Sequence, residues 1–384
     1  MHLNRIKDCL LDKKGSQCAT QGEEAILQKK LHDLHQQIQS WCGALSRIAM
    51  ALYDEDTDTL KTFIHSSNGE IPLQHYQAKL SDVPSLKQLA ETGESRVISD
   101  LYHLAGTNRK HTQFLLEAGY RSSYTVPLKF NDKLFGFLFF DSTVPGYFDS
   151  SLNIHLATYG QLIAAVVKSE LSSLKMLQGV IHTVKEFSRH RDGETAAHLA
   201  RMSHYSRLIG VTLADKYALN DEYIEYLFQF AGLHDLGKIA LPDYVLLKTT
   251  PLSLEEYCVA QTHVNKGLEL LEVLVKDFAL DNLSHLPMLR NIIAYHHERL
   301  DGSGYPFALK DGAIPLESRI VAVADVFDAL SSRRSYKEPW ELDRVIDYMV
   351  SHAGRWFDSD CVEILVKNIP AIEAIRNRFE ESFY

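Results

Sequence analysis

Asp325 interrupts an otherwise apolar helical face in RIVAVADVFDAL, and that carboxylate restricts the folds open to the chain. Burying a charge without a partner costs several kcal/mol, so a fold that buries this helix must bring a cation to it. The same problem recurs in LFQFAGLHDLGKIALP, where His234 and Asp235 close an apolar run. A carboxylate can bridge two cations through its two oxygens while an adjacent imidazole completes one of their shells, and Lys238, one turn later, faces the same anion. Read as ordinary residues, the pair is a helix cap or a core histidine beside an exposed aspartate.

Further residues of metal-ligand type follow the same pattern. Glu194 and His198 stand four apart, on one face of a helix. His263 lies within AQTHVNKGLELL, and His296 and His297 open the string HHERLDGSGYP. Each taken alone is a common surface or core residue; together, five histidines and three carboxylates come from separate helices of one region. An imidazole and carboxylate set without thiolate suits iron, manganese or zinc. In the rest of HHERLDGSGYP, from Asp301 to Pro306, glycines allow close backbone approach and proline fixes the exit, so Asp301, Gly304 and Tyr305 are expected on a tight substrate loop. The plainer reading is a structural turn with a packed tyrosine. Arg334 and Lys337 in SRRSYK are expected to clamp a second phosphate or a base edge, or are plain surface bases.

Around these residues the chain divides in two. Leu27, Leu31, Leu34, Ile38, Trp41, Leu45 and Ile48 alternate steps of four and three, a helical seam that pairs with a second copy or lies on its own domain. Strands are expected at 48–53 and 60–65, a short helix at 85–91, a strand at 96–98 and a helix at 112–118. A hairpin of 122–130 and 133–141 turns at Asn131-Asp132. A long helix from Ser151, with Val167, Leu174 and Ile181 seven apart, leads into a second half that is helical throughout. Its clearest runs are 195–217, 221–234, 254–274, 286–297, 318–331 and 341–353. The expected fold class is therefore multidomain, an α+β domain joined by a connecting helix to an all-α domain. The expected boundaries are a tail at 1–21, the first domain at 22–165, the connection at 166–184 and the second domain at 185–384.

The formal net charge of −10 argues against gripping a nucleic acid polymer, which needs a basic face that releases counterions. A small anion remains compatible, because bound metal reverses the local field. Five scattered cysteines without a CxxC pair fit a reducing compartment, and no apolar run reaches the roughly 20 residues of a membrane span. A cytoplasmic protein without membrane contact is the expectation.

The strings RDGETAAHLARMSHYSRLIG, HDLGKIALPDYVLLK, THVNKG, HHERLDGSGYP and DVFDALSSRRSYK, in that order, resemble the HD-GYP phosphodiesterases, the branch of the HD superfamily that cleaves cyclic dinucleotides. The first half resembles a GAF domain, most clearly over residues 121–167, where SSYTVPLKFNDKLFGFLFFDS leads into the closing helix. The first resemblance implies Glu194, His198, His234, Asp235, His263, His296, His297 and Asp325 as ligands of two or three divalent ions, with iron or manganese favoured. It implies Lys238, Tyr305, Arg334 and Lys337 as substrate contacts, and Glu194 as the residue that permits a third ion. The implied reaction takes cyclic di-GMP to pGpG, with further cleavage to GMP left open. Hydrolysis of 3',3'-cyclic GMP-AMP and a non-catalytic cyclic-dinucleotide sensor or protein-binding module stand as alternatives. The second resemblance implies a pocket for an unidentified small regulator or a dimerising scaffold, and a homodimer is expected. Lys248-Thr249-Thr250 and Arg334-Ser335-Tyr336-Lys337 depart from the family's usual K-P-G and R-P-Y-K without removing a ligand.

Overall fold

The computed structural model describes residues 26–68, 73–106, 110–187, 195–281, 283–332 and 338–379. Its first half is a six-stranded antiparallel sheet in the order β3-β2-β1-β6-β5-β4. Helix α1 (Ile26–Gln39) leads into β1 (Leu45–Asp54), β2 (Thr59–Ser67) and β3 (Gln77–Lys79), followed by α2 (Pro84–Thr92), β4 (Arg96–Ile98) and α3 (Lys110–Glu117). Strands β5 (Ser122–Phe130) and β6 (Lys133–Ser142) form the expected hairpin. Asn131 and Asp132 both take positive φ, 51° and 61°, the backbone that a two-residue turn needs to match the strand twist.

Alternation along the strands gives the sheet two different faces. Ile48, Met50, Leu138 and Phe140 pack against Leu27 and Leu31 of α1 and against Leu156, Ile163 and Val167 of the long helix α4 (Ser150–Phe187). Leu60, Phe137 and Phe139 pack on the opposite side with Leu80, Leu86 and Leu89. The expected N-terminal seam is corrected in its length: α1 stops at Gln39, and Leu45 and Ile48 belong to β1. The alternation of four and three ran by coincidence across the turn at Gly43. Leu27, Leu31 and Ile38 are buried in their own domain, so the helix lies on its sheet.

The second half is helical. In order come α5 (Ala196–Tyr217), α6 (Asp221–Ala231), a 3-10 turn at Leu236–Ala240, α7 (Asp243–Leu246), α8 (Leu254–Gln261), α9 (His263–Asp277) and α10 (Leu286–Tyr295). The chain then forms α11 (Leu316–Ser331), α12 (Leu342–Ser351), α13 (Ser359–Lys367) and α14 (Ile369–Arg378). Side-chain caps set several of the starts: Thr195 for α5, Asn220 for α6 and a reciprocal Ser253–Glu256 box for α8. Two expectations change. The run 254–274 is two helices that meet at Thr262, which places His263 at the start of α9. Helix α6 ends at Ala231, three residues before His234.

One core joins α5, α6, α9, α10 and α11 through residues such as Tyr205, Phe230, Leu271, Ile292 and Phe327. Leu174, Leu177 and Ile181 from the far end of α4 belong to it as well. An open cleft of about 960 Å³ lies between the two halves, lined in part by Lys61, Phe130, Lys168, His204 and Phe228, and none of the described candidate metal ligands borders it. No helix among the described residues is long and apolar enough to cross a membrane.

Candidate metal centre

The five described histidines of the expected set are brought in by the ends of four different elements. His198 lies in the first turn of α5, where its amide donates to the Thr195 hydroxyl. His234 and Asp235 occupy the turn between α6 and the 3-10 segment, His263 opens α9, and His296 and His297 follow α10. Asp325 is carried by α11.

These donors fall into two adjoining groups. Asp235, His263, His296 and His297 each offer an atom within 4.8 Å of the others, as do His198, His234 and Asp325. Asp235 stands between the groups. Its Oδ2 is 3.1 Å from His234 Nε2, while its Oδ1 is 3.1 Å from His263 Nε2 and 3.6 Å from His296 Nε2. The latter two nitrogens and Asp235 Oδ1 are buried without a hydrogen bond, although they face one another. Buried nitrogens aimed at a carboxylate that they do not hydrogen-bond fit a cation between them.

The other ring nitrogen of each histidine explains the aim. Nδ1 of His234 is 2.8 Å from the Ala231 carbonyl, that of His263 2.7 Å from the Ala260 carbonyl and that of His296 3.0 Å from the Ile292 carbonyl. A carbonyl only accepts, so Nδ1 donates in all three rings and Nε2 keeps its lone pair. Burial pushes the pKa of His296 down and that of His297 well down, which favours the neutral ligand form. Asp235 behaves oppositely: burial works to raise its pKa, yet the positive charge of Lys238 and the neighbouring imidazoles hold it well below the usual carboxylate range.

Lys238 Nζ lies 2.6 Å from Asp235 Oδ2, with its side chain a quarter exposed, so it borders the centre and solvent together. Tyr305 stacks on His297 with ring centroids 4.6 Å apart and presents its edge to Tyr257. Burial raises the pKa of its phenol, which stays protonated at neutral pH. Gly304 is required by close approach, because a Cβ there would come within 2.5 Å of backbone atoms of His297, Glu298 and Arg299. Asp301 is turned to the loop itself: it accepts from the Ser303 amide at 2.9 Å and pairs with Arg355 at 3.3 Å. Glu194, Arg334 and Lys337 lie outside the described residues.

Three residues that sequence reasoning passed over support the site. Glu298 accepts from the amides of Phe307 at 2.7 Å and Leu309 at 2.9 Å and so ties down the loop that carries Tyr305. Asp328, one turn after Asp325, contacts His198 Nδ1 at 2.7 Å and receives two hydrogen bonds from Arg201. The signal for Asp328 was in DVFDAL, which places a second carboxylate on the same helix.

Residues 194–361 match the family model of the HD domain, and residues 23–167 match that of the GAF domain. Over 190 residues, half of the chain, the sequence is 45% identical to "Cyclic di-GMP phosphodiesterase response regulator RpfG" of Xanthomonas campestris pv. campestris, covering 47% of that protein. It is 37% identical over 186 residues to "3'3'-cGAMP-specific phosphodiesterase 2" of Vibrio cholerae, which is 48% of this chain and 34% of that one. A Vibrio cholerae "Cyclic di-GMP phosphodiesterase" is 34% identical over 232 residues, 57% of this chain and 47% of that one. The chain thus spans about half or less of the length of these relatives.

Proposed function

We propose that this chain, which carries a GAF domain in front of an HD domain, is a metal-dependent phosphodiesterase of the HD-GYP type that opens cyclic di-GMP to pGpG. The observation that carries the reading is the placement of Asp235, with one oxygen toward each of two groups of donors. Names of the relatives support the substrate class.

His198, His234 and Asp325 would hold one ion and His263, His296 and His297 the other, with Asp235 shared; Glu194 is assigned to a third. Iron or manganese suits this imidazole and carboxylate set. When bound, such ions polarise a phosphodiester and lower the pKa of a water between them. The protein's own groups do the rest. Lys238 places a compact positive charge beside Asp235, where a phosphate oxygen would arrive, and charge developing there is stabilised by a group already in position. Tyr305, held by its stack on His297 and by the Glu298 clamp on the loop, offers a protonated phenol to the substrate. Gly304 lets the backbone approach, and Arg334 and Lys337 are assigned to the distal phosphate or base. A GAF-borne regulator, a homodimer and a cytoplasmic location complete the reading, and the boundaries proposed for the two domains are 22–165 and 185–384.

The test combines metal content and products. Chain loaded with manganese or iron is expected to convert cyclic di-GMP to pGpG and 3',3'-cyclic GMP-AMP more slowly, and Asp235→Asn to reduce turnover at least 1000-fold. Metal-loaded protein that cleaves neither dinucleotide overturns the assignment, and preference for the mixed dinucleotide overturns the substrate.

A further inference from the structure

Of the four candidate ligand histidines whose Nδ1 has a partner, three use a carbonyl from their own helix or the turn before it. His198 differs, because its Nδ1 meets the carboxylate of Asp328, carried by another helix. That carboxylate is 1% exposed, and four donors surround it. His198 Nδ1 and Arg201 Nη2 reach Oδ2 at 2.7 and 2.9 Å, while Arg201 Nε and Ser332 Oγ reach Oδ1 at 2.6 and 3.2 Å. Arg201 also donates to the Phe379 carbonyl at 2.9 Å, which ties the arrangement to the end of α14.

We propose that Asp328 is a positioning residue: it fixes His198 in the Nδ1-protonated tautomer and turns Nε2 toward His234 and Asp325, so one ion depends on a carboxylate that does not touch it. The inference rests on the metal-centre reading above. A carboxylate accepts more strongly than a carbonyl and makes the opposite nitrogen a better donor to metal. Arg201 supplies what a buried carboxylate needs to remain charged, and its two parallel bonds fix the plane of the carboxylate. A buried Arg201–Asp328 pair that only joined α5 to α11 would have no need of the imidazole. Here the ring completes the set and is the member that faces the donor group.

The experiment is a calorimetric titration of the full-length chain with Mn2+, comparing wild type with Asp328→Asn. Wild type is expected to bind at least two ions. In the variant one ion is expected to weaken about 10- to 100-fold, the range for loss of such outer partners, while the other stays within about twofold. Unchanged affinity for every ion overturns the proposal. So does parallel weakening of all ions with a lower melting temperature of the metal-free chain, which marks a merely structural role. Wild type that binds no ion removes the metal-centre reading instead, and the proposal with it. Long-range proton–nitrogen NMR of the metal-free wild type, with His198→Gln for assignment, needs no folded Asp328 variant. It is expected to find His198 protonated on Nδ1, and a proton on Nε2 overturns the proposal.

Discussion

Gly237 has no room for a side chain: a Cβ would stand 1.8 Å from the His263 carbonyl oxygen and 2.4 Å from the Gly267 amide. The 3-10 turn that follows His234-Asp235 therefore lies directly against the start of α9, and two segments that carry candidate ligands touch through backbone. Gly237→Ala is expected to force them apart, with about 2 to 3 kcal/mol of destabilisation from overpacking. A chemical denaturation curve measures the loss and manganese titration the accompanying fall in affinity; a variant with unchanged midpoint and affinity would show that the segments give way freely. Histidines away from the centre make a separate prediction. Burial lowers the pKa of His65, His111 and His204 to about 4, with nearby Arg47 or Lys61 adding to it. Because the folded pKa lies below the unfolded value of about 6.5, the fold prefers the neutral ring, and stability is retained above about 6.5 and lost as pH falls toward 4. Thermal melts of the metal-free chain are expected to show this decline, and His204→Gln to reduce its slope by about one proton. Most of the candidate ligand residues stood out in the sequence because a charged or imidazole group on an apolar helical face is costly without a partner. Asp328 escaped because its role depends on Arg201, and nothing in the local spacing ties those two positions together.

Helix α6 shows how an element can look ordinary in sequence and unusual in place. Asp221, Glu222 and Glu225 suit an acidic first turn and a solvated flank, yet all three are buried. The first domain is what covers them. Asp221 accepts from the His75 amide at 2.8 Å, Glu222 from the Gln28 amide at 3.3 Å, and Glu225 pairs with Lys61 at 3.7 Å and with Arg207 at 3.2 Å. Three residues beyond the end of α6 comes His234. Lys61→Met is expected to leave Glu225 with Arg207 as its charged partner and to lower stability by about 1 to 3 kcal/mol, the penalty for a buried charge that loses a partner. Because Lys61 also pairs with Asp54 at 3.1 Å, denaturation of the full chain is compared with that of Lys61→Met in an Asp54→Asn background, and a change below about 0.5 kcal/mol in both would mean that solvent reaches Glu225. The break between α8 and α9 was hidden for a different reason. Thr262 keeps right-handed helical dihedrals, so the apolar period continues through a junction that carries no glycine or proline. Strand β3 has three residues and no alternation long enough to register.

At the scale of the molecule the two halves share a helix. Leu156, Ile163, Val167 and Leu171 of α4 are buried in the first core and Leu174, Leu177 and Ile181 in the second. The order of an α+β half, a long helix and an all-α half could be read from the change in hydrophobic period. What the sequence did not disclose is that the connecting helix is part of both cores, since buried leucines on a spacer and on a packed helix have the same spacing. Ser172 lies exposed between the two sets. Ser172→Pro is expected to cost about 3 kcal/mol by breaking the helix there and to split one unfolding transition into two, as differential scanning calorimetry would show. A single unchanged transition would mean that the contacts around α6 hold the halves together unaided. The shared helix also sets a rule for exchange of parts. With 3.6 residues per turn, each residue added or removed near Ser172 rotates everything beyond it by about 100°, so a foreign first domain can replace this one only in phase. Junctions that differ by seven residues preserve the facing of the candidate metal centre to within about 20°, and those that differ by two or five turn it away.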